Sequence, residues 1–390
     1  MRRLELSKTL ARISGSLALA VLLLHPGGAA QPSLIRENGK LVAVFYGSAP
    51  AAPRLHINSH GPVTVEGGVS RDFTYSVKVI LNARNEMEAR RVIRTYNVRA
   101  DLQGQWLVIS APGGAAMPVM VVKTPRLHAL AVTTSDGVVN ATGIDGTLDV
   151  DTGAGELSAD RIRGDCRLIT GAGDIKVGEV SGGLHVSTGG GKVQVRSVRG
   201  ETSIETNGGD ISVERSGGPV RAETGGGGVH IGTAGGAVSA SSGGGEISVD
   251  KAAGIVTLRN MAGPVAVGSA AGVRCESMSG GVRLSNVTGP IRVSTSMGSI
   301  LASLFPGKLA DSFLATGHGD ITVLIPSNVG VNIQAQNQLA DSLRRIVSDF
   351  REIQPRRQGN RLVAEGAVNG GGPLLQISGM GGTVFIKRQP

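Results

Sequence analysis

Five aspartates between residues 145 and 165 are the residues best suited to catalysis. They are Asp145, Asp149, Asp151, Asp160 and Asp165. Clustered carboxylates can act as acid, base or nucleophile in polysaccharide cleavage, often beside a basic residue or a calcium ion. Acidic and basic residues alternate at equivalent positions here, however, and mixed charge on a sheet face is more typical of a solubilising surface. We therefore predict no catalytic residues, with a polysaccharide-active enzyme as an alternative.

Metal and cofactor sites are also predicted to be absent. A nine-residue calcium-binding repeat needs an aspartate in every turn, whereas Lys192 and Pro219 occupy the equivalent position here. Paired glycines lead into strands instead of a helix N-terminus, so a dinucleotide site lacks its physical basis. His185 and His230 are expected on different faces, where they cannot share a metal ion. His318 is a lone histidine in a turn and is expected at the surface.

The elements that carry these residues are defined by a glycine repeat. Glycine recurs every nine residues without a break from Gly137 to Gly281, in a chain that holds 60 glycines. Two positions after each glycine comes an apolar residue, and another follows two positions later, as in Ile175 and Val177. Alternation with period two predicts short strands with one side facing inward. Near residue 270 the frame shifts by one while the inward positions stay apolar, which indicates a one-residue deletion in a turn.

A second period of eighteen residues is carried by a row of polar residues. The alternate nine-residue units have an aliphatic residue instead, such as Ile162 or Val180. The structural unit therefore has two strands and two unlike turns, and stacking such units gives a parallel β-solenoid, or β-helix. We predict an all-β-dominated protein of this class. Its predicted structural ladder consists of Thr152, Thr170, Thr188, Thr206, Thr224, Ser242 and Asn260.

Stacking explains the glycine content, because equivalent turn residues lie above one another in successive coils. A left-handed corner would strain any side chain in every coil, and glycine avoids that strain. We therefore expect positive φ at the recurring glycines. About nine coils at ~4.8 Å spacing would form a rod roughly 45 Å long. The two ends of this rod need caps, because they would otherwise expose unpaired strand edges.

The segment before the repeat is predicted to be one of these caps. Residues 31–130 combine strand patterns with a helix over 86–96, which makes a small α/β unit. Asn85 is placed to cap this helix, and Glu88 is placed to reach back toward Asn85. The side chains that the helix would bury are Met87, Val92 and Ile93.

The solenoid is predicted over 131–307, and residues 308–390 are predicted to form the C-terminal cap. One stripe of apolar residues there predicts a short amphipathic helix. The stripe consists of Leu339, Leu343, Ile346, Val347 and Phe350. After the glycine-rich stretch at 369–373, alternating apolar residues predict a last coil and closing strands.

The first thirty residues have the pattern of an export signal. Four basic residues precede the apolar stretch Ile13 to Leu24, which is too short to span a bilayer comfortably. Small residues at 28–30 would allow cleavage before Gln31, and a retained membrane anchor is the alternative. We expect no membrane span after removal of residues 1–30. We therefore predict an exported protein of the periplasm or cell surface.

Composition argues against a nucleic-acid partner. The net charge is +9, but the arginines are scattered, and one Trp, three Tyr and six Phe cannot supply a stacking groove.

The two cysteines, Cys166 and Cys275, fall at inward positions of the same strand row, about six coils or near 29 Å apart at ~4.8 Å per coil. A disulfide needs Cα atoms within ~7 Å, so we predict two buried free thiols.

The repeat resembles a family of exported bacterial β-strand-repeat proteins known as "putative adhesins". The segments TGAGDIKV, TNGGDISV and GGGEISV carry the resemblance, and AVNGGGPLLQISGMGGTVFIKR is similar to the family's end. The resemblance covers most of 50–390 and is strongest over 130–300 and 366–388. It implies a non-enzymatic surface or envelope protein and offers no catalytic residues to carry over.

Three classes of function remain open from the sequence. We predict a binding or scaffolding protein that uses the sheet faces of the solenoid to contact an envelope protein or a glycan, without a cofactor. A self-assembling structural rod, stacked through the solenoid ends, is a second class. The polysaccharide-active β-helix enzyme is the third.

Overall fold

The computed structural model describes residues 32–113, 117–338 and 345–389, and strands dominate these residues. The predicted export signal lies outside the described residues, as do Leu339 and Leu343 of the predicted C-terminal helix. Two long sheets, called sheet A and sheet B below, run through the molecule. Each coil gives one strand to each sheet, so the predicted parallel β-solenoid is confirmed.

Successive coils of the central repeat place odd-numbered strands in sheet B and even-numbered strands in sheet A. The strands are β9 (Ala129–Thr134), β10 (Val139–Ile144), β11 (Thr147–Thr152), β12 (Leu157–Ile162), β13 (Cys166–Thr170), β14 (Ile175–Val180), β15 (Leu184–Thr188), β16 (Val193–Val198), β17 (Thr202–Thr206), β18 (Ile211–Ser216), β19 (Val220–Thr224), β20 (Val229–Ala234), β21 (Val238–Ser242), β22 (Ile247–Ala252), β23 (Ile255–Asn260), β24 (Val265–Ala270), β25 (Gly272–Ser279), β26 (Val282–Val287), β27 (Ile291–Met297) and β28 (Ile300–Leu304).

Each strand of the repeat pairs in parallel with its equivalent in the next coil. Leu168 pairs with Val186, for example, at a separation of eighteen residues. The predicted frame shift is confirmed, because Val256 pairs with Val273 after only seventeen residues. The missing residue belongs to the turn between β24 and β25, which consists of Ala271 alone. Register is kept because a slip would move the apolar side chains from the core to the outer face.

The core consists of inward rows of Val, Ile, Leu and Ala that run continuously through the stack. In β14, Ile175, Val177 and Val180 are buried, while Lys176 and Glu179 between them point outward. Gly178 and Glu179 interrupt the strict alternation before Val180 returns to the core. Small aliphatic side chains fill this narrow interior, which explains why the repeat needs so few aromatic residues.

The glycine corners differ from the sequence-based expectation. Positive φ occurs at Gly155 and Gly173 but at only a minority of the recurring glycines, and Gly191 and Gly209 do not adopt it. A Cβ on Gly209 would instead overlap the carbonyl group of Gly191 in the preceding coil. The expectation of positive φ at every corner was therefore wrong. Glycine is required because stacked turn backbones approach too closely to admit a side chain.

The N-terminal flank adds both stacked and antiparallel strands. Its elements are β1 (Ser33–Glu37), β2 (Lys40–Ala49), β3 (Arg54–Ser59), β4 (Val63–Glu66), β5 (Phe73–Leu81), helix α1 (Glu86–Thr95), β6 (Arg99–Gln103), β7 (Trp106–Ser110) and β8 (Pro118–Lys123). The C-terminal flank does the same with β29 (Ser312–His318), β30 (Ile321–Ile325), β31 (Val331–Gln338), β32 (Ile346–Ser348), β33 (Arg356–Gln358), β34 (Arg361–Val368), β35 (Leu374–Gly379) and β36 (Val384–Arg388). The parallel stack thus continues on both sides of 131–307.

At both ends of the stack one coil is inserted out of chain order. The coil of β3 and β4 lies between the coil of β7 and β8 and the coil of β9 and β10. The coil of β35 and β36 likewise lies between that of β29 and β30 and that of β31 and β32. The closing strands predicted from the sequence are therefore not the last coil of the stack. They are held between two others.

Antiparallel strands cover most of the stack ends. At the N-terminal end, β5, β2 and β1 extend sheet A beyond β8, and β6 pairs with β7 in sheet B. At the C-terminal end, β34 and the three-residue strand β33 extend sheet B beyond β31. Sheet A ends there with the three-residue strand β32. Short or charged edges of this kind disfavour pairing with a second molecule.

The helix predicted in the N-terminal flank is confirmed as α1. The side-chain oxygen of Asn85 accepts the N–H of Glu88 at 2.9 Å, as expected for an N-cap. The carboxylate of Glu88 accepts the N–H of Arg84 at 2.9 Å, one residue earlier than predicted. No helix within the described ranges combines the length and apolar composition that crossing a bilayer requires.

The buried face of α1 is partly different from the predicted one. Ala89 and Ile93, four residues apart, are buried, and Val92 is partly buried against the core. Met87 is 81% exposed, so its predicted burial was wrong. Met87 lies outside the stripe that positions 89 and 93 define, because two residues do not complete a helical turn.

The described part of the predicted C-terminal helix is not helical. Ile346 and Val347 belong to strand β32, which pairs in parallel with β36. Ile346 is buried, Val347 points outward, and Phe350 is buried in the turn that follows. The apolar residues at 346–350 have a spacing that fits a helix, but they form one strand and the turn after it. The strand forms because the edge of β36 is free to pair with it.

Candidate binding surface

The five acids weighed as catalytic residues are spread over different elements. Asp149 and Asp151 lie on β11 of sheet B, and Asp160 lies on β12 of sheet A. Asp145 and Asp165 lie in the turns that precede β11 and β13. Because consecutive strands of the chain alternate between sheets A and B, the aspartates of β11 and β12 lie on different faces. The five carboxylates therefore do not form one cluster.

Ion pairs occupy several of these carboxylates. Asp149 lies 3.0 Å from Arg167, which stacks on it in the next coil, and His185 follows in the coil after that. Asp160 lies 3.1 Å from Arg196, two coils away, and its carboxylate also accepts the N–H of Glu179 at 3.1 Å. These acids therefore stabilise neighbouring coils to one another. Asp149, Arg167 and His185 thus form one outward row of mixed charge.

The acidic residue that often follows a recurring glycine has a structural task. The carboxylate of Asp165 accepts the N–H of Gly183 at 2.8 Å, and that of Asp174 accepts the N–H of Lys192 at 2.8 Å. Each of these bonds joins residues eighteen positions apart. A turn amide that would otherwise lack a partner is thus satisfied by the coil before it. This contact explains the aspartate in segments such as TGAGDIKV without a metal ion.

The histidines lie far apart on the surface. His185 is on β15 of sheet B, and His230 is on β20 of sheet A, 3.8 Å from Asp250. His318 ends β29 and is exposed. In the ranges that the structure describes, no three side chains of His, Cys, Asp or Glu form a group that could hold a metal ion.

Both cysteines are buried and free. They lie on β13 and β25 of sheet B, six coils apart, as the spacing predicts. They occupy adjacent inward rows, however, and not the same row as predicted. The register aligns Cys166 with Val273, and Cys275 with Leu168. Burial raises the pKa of each thiol to about 12, with a smaller contribution from Asp149 or Glu276. Neither thiol is therefore a nucleophile near neutral pH.

Each of the seven predicted ladder residues is the last residue of a strand, and the seven strands are consecutive in sheet B. They are Cα partners in neighbouring coils, all of them are buried, and they lie at the ends of β11, β13, β15, β17, β19, β21 and β23. The Thr188 hydroxyl donates to the carbonyl of Gly173 at 3.0 Å and accepts the N–H of Gly191 at 3.2 Å. Asn260 uses its amide for the same purpose, donating to Gly245 at 3.2 Å. This row connects coils through their turns.

The row of ladder residues is longer than the seven residues predicted from the sequence. Thr134 precedes Thr152, and Ser277, Thr295 and Thr316 follow Asn260 in the same row. The seventeen-residue step at the deletion and a longer turn before β29 hide these members from a search with fixed spacing. Allowing one-residue slips would have found Ser277.

An open groove of about 540 Å³ runs along the edge of sheet B. Its floor lies between the turn row and the adjacent outward row of side chains. The exposed apolar part consists of Pro219, Ala237, Ile255 and Pro290, and Ile255 is 52% exposed. The polar part includes Glu201, Arg221, Ser239, Thr257, Arg274 and Arg292. A second groove of about 500 Å³ continues it toward β11 and shares Glu201.

The charge of the first groove is dominated by arginine. Arg274 and Arg292 are Cα partners in adjacent coils, and Arg221 lies three coils before Arg274 in the same outward row. Arg221 pairs with Glu223 at 2.6 Å. Arg274 and Arg292 have no carboxylate of the described residues within 4.0 Å. Arginines at paired positions of one groove, beside an apolar floor, can together receive a planar anion such as a carboxylate.

Comparison with protein-family models gives no match, and neither does comparison with curated proteins. Solved structures do match. One named as a putative cell adhesion protein from Clostridium sporogenes is 11% identical with a TM-score of 0.20, over 92% of this chain and 100% of that one. A putative adhesin from Parabacteroides merdae is 10% identical with a TM-score of 0.25, over 74% and 98%.

A third structure, named as a putative lipid binding protein from Parabacteroides distasonis, is 12% identical with a TM-score of 0.23. It covers 90% of this chain and 99% of that one. The names of the first two agree with the family resemblance of the repeat. At these TM-scores the three structures carry no argument about the function of this chain.

Proposed function

We propose that the protein is exported and acts as a non-enzymatic binding protein of the bacterial envelope, with an anionic glycan as its partner. The stacked pair Arg274 and Arg292 in the sheet B groove is the observation that carries this proposal. Like charges directly opposite one another on a sheet destabilise it, and an anionic ligand bound by the pair would offset that cost.

The shape of the groove supports an extended ligand. The groove is open, lies parallel to the stack axis and presents equivalent side chains from consecutive coils. Neighbouring coils are about 4.8 Å apart, so the outward row offers polar contacts at regular short intervals. Pro219 and Pro290 expose apolar faces of the kind on which sugar rings pack. A linear acidic polysaccharide fits these features better than a compact small molecule does.

The absence of enzymatic activity is part of the proposal. Among the five aspartates at 145–165, Asp149 and Asp160 are held in ion pairs, and Asp165 accepts a hydrogen bond from a turn amide. The basic groove lies several coils away from them. Glycan cleavage needs two free carboxylates facing one another across the bond. Asp149 and Asp165 both line the second groove, but Arg167 holds the first and the N–H of Gly183 holds the second.

Binding can be tested with polygalacturonate as an acidic probe and dextran as a neutral one. Isothermal titration calorimetry with the mature protein should show binding of polygalacturonate that weakens as salt is raised, and no binding of dextran. Arg274→Ala with Arg292→Ala should weaken binding at least ~10-fold, because hydrogen bonds to charged groups contribute about 1.5–3 kcal/mol each. Arg283→Ala is the matched control, since Arg283 points outward from sheet A.

Two results would overturn this assignment. Equal binding by the double variant and by Arg283→Ala would show that general positive charge, and not the groove, attracts the polymer. If polygalacturonate does not bind, but an envelope extract yields a protein retained by the wild type and lost with the double variant, the partner is a protein.

The enzyme alternative and export each need a separate measurement. Reducing-end release from polygalacturonate that disappears in Asp149→Ala would establish an enzyme and contradict the proposal. Expression of the full chain in a Gram-negative host should give a periplasmic product whose N-terminal residue is Gln31. Retention of an intact N-terminus in the membrane fraction would contradict cleavage of the export signal.

A further inference from the structure

The outward row of sheet B that carries Arg274 and Arg292 continues beyond the groove. Its next member is Phe313 on β29, which is the Cα partner of Arg292. Gln376 on β35 follows Phe313, and Gln334 on β31 follows Gln376. All five side chains point outward and are exposed. The register thus places two arginines, one aromatic ring and two amides on consecutive coils, one about every 4.8 Å.

Phe313 is 38% exposed and differs from the row that precedes it. The members from β17 to β27 are serine, threonine or arginine, so the strand does not need a large apolar side chain at this position. One exposed aromatic ring is ordinary on a protein surface. Its position directly beside the arginine pair is what distinguishes Phe313.

The coil of Phe313 also departs from the repeat. Phe313 follows its partner Arg292 by 21 residues, whereas the usual step is eighteen, as from Leu168 to Val186. The extra residues belong to the turn at 305–311 between β28 and β29. The exposed ring is therefore a feature of this coil and is not imposed by the repeat.

A chain of hydrogen bonds orients the two amides. The Nε2 group of Gln376 donates to Oε1 of Gln334 at 3.3 Å. The Nε2 group of Gln334 donates to the carboxylate of Glu365 at 3.4 Å, and Arg356 donates to the same carboxylate at 3.0 Å. The carbonyl oxygen of Gln376 accepts no hydrogen bond from the described residues. It can therefore accept one from a hydroxyl group of a ligand.

These side chains together match the chemistry of a polyuronate. Each ring of such a chain carries a carboxylate, hydroxyl groups and a face of C–H groups. Guanidinium groups bind the carboxylates, an aromatic ring packs against the C–H face, and amides hydrogen-bond the hydroxyl groups. The coil spacing of about 4.8 Å is close to the length of one ring in an extended chain, so neighbouring coils can contact neighbouring rings.

We propose that Phe313 and Gln376 extend the arginine pair into a site for several consecutive rings of a polyuronate, with one ring packed on Phe313. This inference rests on the proposed function and adds to it the class of sugar and the direction in which the ligand leaves the groove. Phe313 is the residue that distinguishes a uronate ring from an anion without a ring.

The proposal is tested by titration calorimetry of the mature protein with hexagalacturonate and with poly-L-glutamate, an acidic polymer without sugar rings. Phe313→Ala should lower the affinity for hexagalacturonate about 5-fold or more, the loss expected from one ring contact, and leave that for polyglutamate unchanged. Phe313→Tyr keeps the ring and should bind like the wild type. Gln376→Ala should have a smaller effect, since it removes one hydrogen bond to an uncharged group.

A matched control comes from another exposed aromatic residue. Tyr46, on β2 of sheet A, is 48% exposed, and Tyr46→Ala should leave the affinity for hexagalacturonate unchanged. Circular dichroism and thermal unfolding should show that every variant keeps the fold. An equal loss in Tyr46→Ala, or a loss of both polymers in Phe313→Ala, would contradict recognition of a sugar ring by Phe313.

The contact itself can be observed by saturation-transfer NMR. Irradiation of the aromatic protons of the protein should transfer magnetisation to the C–H protons of bound hexagalacturonate. The transfer should be lost in Phe313→Leu, which keeps an apolar side chain and has no aromatic proton. Transfer that persists in this variant would place the sugar on another aromatic residue and overturn the proposal.

The outcomes separate this inference from the proposed function. Binding of hexagalacturonate that is lost with Arg274→Ala and Arg292→Ala, but is unchanged in Phe313→Ala, would overturn the ring site and leave the proposed function standing. Absence of hexagalacturonate binding by the wild type would overturn both.

Discussion

Arg292 lies directly opposite Arg274 in the next coil, and the two residues are Cα partners in parallel strands. Each guanidinium lacks a carboxylate of the described residues within 4.0 Å. By contrast, Arg167 in the same outward row pairs with Asp149 at 3.0 Å. The row thus neutralises charge near its beginning and concentrates it near β25 and β27, where the groove lies.

Relief of this repulsion should be measurable as stability. Arg292→Gln is expected to raise the free energy of unfolding by a few tenths to about 1 kcal/mol at low ionic strength, because opposed like charges are separated. The gain should shrink at 1 M salt, where charges are screened within about 3 Å. Urea denaturation at both salt concentrations measures it. Arg283→Gln should change little, since its partners in neighbouring coils are Ala266 and Leu301.

Adjacent glycines of one turn should respond oppositely to alanine. A Cβ on Gly209 would overlap the backbone of Gly191, whereas a Cβ on Gly208 would meet nothing within 4 Å. Gly209→Ala should therefore destabilise the protein by about 1–3 kcal/mol through overpacking. Gly208→Ala should be neutral or stabilise it by about 0.4–1 kcal/mol through lower entropy of the unfolded chain. Thermal unfolding of both variants decides; equal effects would refute the stacking explanation.

Loss of one ladder hydroxyl should cost more than loss of an exposed one. Thr188→Val keeps the side-chain shape but leaves the carbonyl of Gly173 and the N–H of Gly191 without this partner. We expect destabilisation by about 1–3 kcal/mol, the cost of a buried unsatisfied group. Thr233→Val, on the exposed face of β20, is the matched control and should lie within about 0.5 kcal/mol of wild type. Urea denaturation compares them.

The buried thiols should make stability depend on alkaline pH. Burial raises the pKa of Cys166 and Cys275 to about 12 from an ordinary value of 9.0. The unfolded chain therefore releases these protons first, so their contribution is complete below pH 9 and is lost between pH 9 and 12. The decline approaches about 1.4 kcal/mol per pH unit for each thiol.

Denaturation at pH 8, 8.5 and 9 measures the onset of this decline before the tyrosines contribute. Burial also raises the pKa of Tyr75 and Tyr96, but their effect on stability begins only as the pH approaches the ordinary value of 10.0 at which the unfolded tyrosines ionise. Cys166→Ala with Cys275→Ala should flatten the dependence, whatever its effect on absolute stability. A thiol reagent at pH 8 should label no cysteine in the folded protein and both after unfolding. Rapid labelling of the folded protein would contradict their burial.

The solenoid could be predicted from the sequence because its rule is local and repeated. The positions of Gly182, Leu184 and Val186 have an equivalent in every coil, so the same pattern of turn and strand is repeated many times along the sequence. Even the one-residue deletion was visible, since Val256 and Val273 kept their apolar character. Features that depend on a single coil lacked this redundancy.

The misjudged features depend on contacts between distant segments. Ile346 and Phe350 have helical spacing, and only the edge of β36 makes Ile346 part of a strand. The need for glycine at position 209 follows from the backbone of Gly191 in another coil, which no single turn reveals. The basic groove was missed for a similar reason: Arg221, Arg274 and Arg292 are scattered in the sequence and become one row through stacking.

The inserted coil at the C-terminal end has a consequence for biosynthesis. Strands β35 and β36 are synthesised after β31 and β32, yet they separate the coil of β31 and β32 from the coil of β29 and β30. Assembly by simple addition of one coil after another must therefore stop at β30 until β36 has been made. A protein cut short after residue 372 would leave that gap open, so the stack cannot close in the order in which the ribosome produces its strands.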